Sequence, residues 1–168
     1  MKRTILLIFT FVFSTMALAA SGTATFAPFE NYIFSNDNFK RAYINVSNIT
    51  GETVTVSFTL YDEAGNMVTD ANGTAASGPL RAQYNFTNYS DNLTDKSAQF
   101  DLPPYSTARL HVEGTSNPTM MFGNIEWTQN SKASVAVIAS MEVNRFYRSG
   151  HKQSAQTQTV SINNGLPF

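Results

Sequence analysis

The segment Val54-Thr55-Val56-Ser57-Phe58-Thr59-Leu60-Tyr61 constrains the fold more than any other stretch. Its apolar residues recur at every second position. Val54, Val56, Phe58 and Leu60 therefore share one side of an extended strand, and Thr55, Ser57, Thr59 and Tyr61 the other. Wound into a helix, the same four apolar side chains would scatter around the circumference and bury nothing together. The period returns at Ala42, Ile44 and Val46, at Phe100 and Leu102, at Ala108, Leu110 and Val112, and at Met121, Gly123, Ile125 and Trp127. Strands with one wet side need an opposing apolar layer, so the pattern predicts an all-β chain.

Turn signals separate these runs. Thr50-Gly51-Glu52-Thr53 reads as a hairpin turn between the first two. Asp62 to Asn66 reads as a second turn, with Gly65 available for a positive φ and Met67-Val68 starting a short returning strand. Pro103 to Ser106 and Gln129 to Lys132 make two more turns. The second leads into Val135-Ala136-Val137-Ile138-Ala139, whose near-continuous apolar character predicts a central strand covered on both faces. Residues 70–97 read as a long loop in which Arg81 to Thr87 has strand character. Ser149 to Thr159 reads as a polar tail. Seven or eight short strands without a convincing helix predict a single antiparallel β-sandwich over residues 20–168.

Residues 1–19 have the layout of a secretory signal peptide. Lys2 and Arg3 precede an apolar run from Ile5 to Phe13, and Ala17-Leu18-Ala19 supplies small residues for cleavage before Ala20. The run is about half the roughly 20 residues needed to cross a bilayer, and no later segment is long enough, so no integral membrane segment is expected after cleavage. Loss of Lys2 and Arg3 leaves 9 basic against 12 acidic residues and moves the net charge from −1 to −3. A weakly acidic chain has no electrostatic footprint for nucleic acid. There is no cysteine, which excludes thiol nucleophiles, thiolate metal sites and disulfides. The expected destination is the periplasm, the cell surface or the medium.

Little in the chain speaks for catalysis. No nucleophile elbow, P-loop, dinucleotide fingerprint or H-E-x-x-H occurs. The two histidines read as exposed imidazoles, His111 on the outward face of its strand and His151 in the polar tail. Asp62 and Glu63 belong to a tight turn, and Glu113, Glu126 and Glu142 come from three strands. Asp91, Asn92 and Asp95 fall short of the six or more oxygens that calcium takes. No catalytic residue, metal or cofactor is expected. Six N-x-Ser/Thr sequons start at Asn45, Asn48, Asn72, Asn85, Asn88 and Asn92, and read as chance products of an Asn-, Ser- and Thr-rich composition.

The candidate ligand-binding segment is aromatic and polar: Tyr84, Asn85, Phe86, Asn88, Tyr89 and Asp91. Sugar rings offer apolar faces that stack on aromatics and hydroxyls that bond amides and carboxylates. The competing reading has Tyr84 and Phe86 alternating into the core and Tyr89 plugging a sheet edge. Trp127 shares parity with Met121, Gly123 and Ile125 and reads as core.

Phe58-Thr59-Leu60-Tyr61-Asp62-Glu63-Ala64-Gly65-Asn66, followed by Phe100-Asp101-Leu102-Pro103-Pro104-Tyr105-Ser106-Thr107, resembles the strand-turn-strand phrasing of immunoglobulin- and fibronectin-like modules of bacterial envelope and secreted proteins. The resemblance spans roughly residues 42–143 and lacks the Cys-Trp-Cys core of antibody domains. It implies a fold and carries over no functional residue. The expected function is that of an exported, non-catalytic module binding a partner protein or polysaccharide. A self-associating structural subunit is the alternative. A small outer-membrane barrel is a further one, suggested by Val160, Ile162, Leu166 and Phe168 at the C-terminus.

Overall fold

The computed structural model describes residues 19–67, 80–82, 87–92, 97–112 and 117–168. The leader predicted over residues 1–19 lies, but for Ala19, outside them. Among these residues ten strands form: β1 (Ala20–Ser35), β2 (Asn38–Asn48), β3 (Val54–Asp62), β4 (Leu80–Ala82), β5 (Thr87–Asn92), β6 (Ser97–Leu102), β7 (Thr107–Val112), β8 (Thr119–Gln129), β9 (Val137–Ser149) and β10 (Lys152–Ser161), followed by a short 3-10 turn (Ile162–Gly165). The chain is all-β and every pairing is antiparallel. Among the described residues no helix is long and apolar enough to cross a membrane.

The strands run in the order β10-β9-β2-β1-β8-β3-β6-β5, with β7 and β4 branching from β2. β1 joins two groups. Its residues from Ala20 to Asn31 pair with β8, and Tyr32 to Ser35 pair with β2. The ladder with β8 shifts between Phe26 and Phe29, where Pro28 has no N–H to give. Beyond that hairpin, the same edge of β2 takes β7, from Ala42 opposite Val112 to Ser47 opposite Thr107, while its other edge takes β9.

The alternation read from sequence is the alternation of burial. Val54, Val56, Phe58 and Leu60 are fully buried, as are Ala42, Ile44 and Val46, and Ala108, Leu110 and Val112. The inward rows of both groups form one apolar cluster, with Phe26, Phe58, Phe100 and Trp127 from one and Ile44, Leu110, Val137 and Met141 from the other. Full burial of a side chain of this size contributes about 1.5–3 kcal/mol.

Several expectations are corrected. Thr50 to Thr53 is no hairpin turn, because β2 and β3 do not pair; it carries the chain from the β9-β2-β7 group to the β8-β3-β6 group. Asn48 anchors this crossing: its side-chain N–H donates to the carbonyls of Glu52, Leu102 and Pro103, and its Oδ1 accepts from the Thr50 amide. The segment Val135 to Ala139 is not covered on both faces, since Val135 is exposed and Ile138 half-buried; only Ala136, Val137 and Ala139 are in the core. The polar tail is largely β10, joined to β9 through Gly150 (φ 58°) and His151. Among the described residues there are ten strands, where seven or eight were expected.

The turn at Asp62 to Asn66 forms as expected. The Asp62 carboxylate accepts from the Ala64 and Asn66 amides at 2.9 and 2.8 Å and from the Asn66 side chain at 2.9 Å, and Gly65 has φ 80°. The Asn66 side-chain bond, helped by these backbone amides, holds the Asp62 carboxyl below the usual range. Met67 then makes a single bridge to Tyr61, and Val68 lies outside the described residues. At the C-terminus Phe168 is buried and exchanges backbone hydrogen bonds with Val137.

Candidate functional site

Of the residues singled out for ligand binding, Tyr84, Asn85 and Phe86 lie outside the described residues. Asn88 has φ 54° and donates from its side chain to Asp101 at 2.7 Å. Its neighbour Tyr89 is half-buried and packs against the core. Asp91 lies in β5 opposite Ala98. The two members whose side chains are described thus part company, Asn88 exposed and pinned to β6, Tyr89 turned to the core.

A different surface gathers more chemistry. Because β2 lies between β9 and β7, its outward residues Phe39, Arg41, Tyr43 and Asn45 form the middle row of a flat face. β9 places Phe146, Asn144 and Glu142 beside that row, and β7 places Arg109 and His111 on its other side. Phe39 and Phe146 stack with ring centroids 5.4 Å apart, and the Arg41 guanidinium lies 4.4 Å above the Phe39 ring. Further along, Tyr43 stacks on His111 at 4.8 Å and carries the Arg109 guanidinium at 4.3 Å. Arg109 pairs with Glu142 at 2.8 Å, and the other Glu142 oxygen accepts from Asn45 at 3.2 Å.

His111 therefore departs from its reading as an exposed imidazole. It points outward as parity requires, yet is only 6% accessible, because the Tyr43 ring lies against it and β4 pairs along the outer edge of β7.

The two arginines differ in charge pairing: Arg109 is neutralised by Glu142, whereas Arg41 has no ion pair among the described residues. The Nε of each is buried without a hydrogen-bond partner. Opposite Arg41 in the ladder, the Asn144 Oδ1 is buried and unpartnered in the same way. A buried donor and a buried acceptor thus face each other across the β2–β9 register without bonding each other. Cation–π contacts at such sites contribute about 0.5–1 kcal/mol, and ion pairs a third exposed no more than that. The stripe adds little to stability but fixes the rings and guanidinium heads in place, as recognition requires.

The outward face of the β8-β3-β6 group is plainer. Thr25 donates to Asn124 at 3.0 Å and Thr55 to Asp101 at 2.7 Å. A shallow depression of about 290 Å³ is lined by Glu52, Thr55, Asp101, Thr128 and Gln129 among others. Elsewhere on this face Tyr61 and Phe122 stack with ring centroids 5.2 Å apart. Glu126 and Glu142 belong to different groups and do not meet; Glu113 lies outside the described residues. Among the described residues no three His, Cys, Asp or Glu side chains are placed to hold a metal.

Sequence reading placed His111 outward, and the alternation of Ala42, Ile44 and Val46 leaves Tyr43 and Asn45 on the other side of their strand, but nothing in the sequence joins them. The joining depends on β2 taking β9 on one edge and β7 on the other, pairings between segments far apart in the chain. Comparison with known proteins returned no matching family model, no matching curated sequence and no matching solved structure.

Proposed function

We propose that this chain is an exported, non-catalytic, immunoglobulin-like β-sandwich module that binds a polysaccharide or protein partner at the cell envelope or outside the cell, through the outward face of β9, β2 and β7. The sandwich reading is supported by two antiparallel groups whose inward rows share one core. Export rests on the layout of residues 1–19. One observation carries the binding reading: the Arg41 guanidinium lies 4.4 Å above the Phe39 ring and has no ion pair among the described residues. Such a surface suits ligands that combine a flat apolar face with an anionic or amide group, such as acidic sugar rings or a carboxylate-bearing protein loop.

Retention of the purified protein on extracellular polysaccharide and on washed cell surfaces tests this. The parent is expected to be retained, and an Arg41→Ala/Tyr43→Ala variant to bind roughly tenfold or more weakly, since a few aromatic and arginine anchors dominate such contacts. A Tyr61→Ala/Phe122→Ala variant of the opposite face is expected to match the parent. An unretained parent, or a loss confined to the second variant, would refute the assignment.

A further inference from the structure

Among the described residues, the sheet edges other than β10 carry features that discourage pairing. β4 is three residues long. β5 is short and its ladder shifts between Thr87 and Ser90. β1 carries an irregularity at Ala27 and Pro28, where its register with β8 shifts. These are the devices by which proteins keep edges from pairing: short strands, irregularities, proline and charge. Apart from its one charge, Lys152 at the first position, β10 has none of them. It spans ten residues and contains no proline. Its register with β9 is unbroken from Lys152 opposite Ser149 to Ser161 opposite Ser140. Residues 152–159 are exposed, and among the described residues no strand lies on the far side of β10.

We infer that β10 is a self-pairing edge, through which a second copy of this chain docks antiparallel to extend the sheet across a two-fold axis. This goes beyond the binding face and does not depend on it. The occupant follows from the strand itself. An isologous antiparallel pair brings each residue opposite one of the same face, so facing positions differ by an even number. An axis through Thr157 keeps residues 153–161 in the ladder, sets Gln156 opposite Gln158 of the second copy, and leaves Lys152 beyond its end. No like charges meet, and Gln, Thr and Ser side chains can hydrogen-bond their counterparts across the junction. An incoming strand of another protein would need its own complementarity; β10 already complements itself.

The absence of cysteine makes the test clean. Under mild oxidation, a Thr157→Cys variant is expected to form a disulfide-linked dimer, while Gln99→Cys, exposed on β6, stays monomeric. In sedimentation velocity the parent is expected to show a concentration-dependent monomer–dimer equilibrium. Gln156→Lys/Gln158→Lys sets lysine opposite lysine twice and is expected to weaken the dimer by roughly tenfold or more. Mixing it with Gln156→Glu/Gln158→Glu is expected to restore dimers as heterodimers, which a folding defect could not produce. A parent that sediments as a monomer throughout, or Thr157→Cys that links no better than Gln99→Cys, would overturn the inference.

Discussion

Replacing Gly123 by alanine is expected to cost about 3 kcal/mol or more, a large part of the stability of a small domain. Gly123 lies in the interior of β8, opposite Phe26 on β1 and Leu60 on β3. A Cβ there would run into the Thr59 carbonyl oxygen and the Phe26 ring. Neither yields easily. Thr59 is held in the β3–β8 ladder, and Phe26 is fully buried and stacked 5.3 Å from Phe58. The strand keeps a glycine, despite the entropy it costs there, because the Phe26 side chain occupies the space above it. Urea denaturation measures the loss. Adding Phe26→Leu to the Gly123→Ala background is expected to return part of the cost, since it relieves the ring clash but not the carbonyl clash. Gly65→Ala, with open space around its Cβ but φ 80°, is expected to cost only about 1 kcal/mol.

The second large effect is expected at Asn48, which is 2% accessible. It donates at 2.7 Å to Glu52 O, 3.1 Å to Leu102 O and 3.0 Å to Pro103 O, and its Oδ1 accepts from the Thr50 amide and hydroxyl, each at 2.8 Å. Gln129 reinforces the same crossing by donating to Thr50 Oγ1 at 2.7 Å. One side chain therefore ties the end of β2, the crossing to β3 and the turn after β6. Asn48→Ala strands several carbonyls and is expected to cost about 2–3 kcal/mol. Asn48→Asp is expected to cost more at neutral pH, because a carboxylate would face three carbonyl oxygens. Its folded-state pKa would be raised, so the folded form binds the extra proton and the variant regains stability as pH falls toward that pKa. Parallel denaturation of both variants across pH checks the sign: the gap between them narrows on acidification. The burial of Asn48 also fits the reading of its sequon as fortuitous.

What the sequence disclosed and what it hid follow from one physical difference. β3, the inner rows of β2 and β7, and the Met121 to Trp127 stretch of β8 were legible because each buries one face, and burial writes a period of two into the residues. β10 buries almost nothing, so Gln, Ser and Thr on both faces left no period, and it read as a tail. The first residues of β1 are small and polar and gave equally little. Thr50 to Thr53 has turn composition, but composition does not distinguish a hairpin from a crossing; that depends on strands β6 to β9, which lie much later in the chain. The candidate face has the same origin. Phe39, Arg41 and Tyr43 are locally an ordinary outward row, and they meet Glu142, Phe146, Arg109 and His111 only through long-range pairing.

The most direct test of the central claim uses the stacked aromatics of the two outward faces as each other's control. Hydroxyl-radical footprinting, read by mass spectrometry, would compare the free protein with the protein retained on its polysaccharide or cell-surface matrix. The account predicts that Phe39, Tyr43 and Phe146 lose reactivity on binding while Tyr61 and Phe122 keep theirs. Protection of Tyr61 and Phe122 with Phe39, Tyr43 and Phe146 unchanged would contradict it.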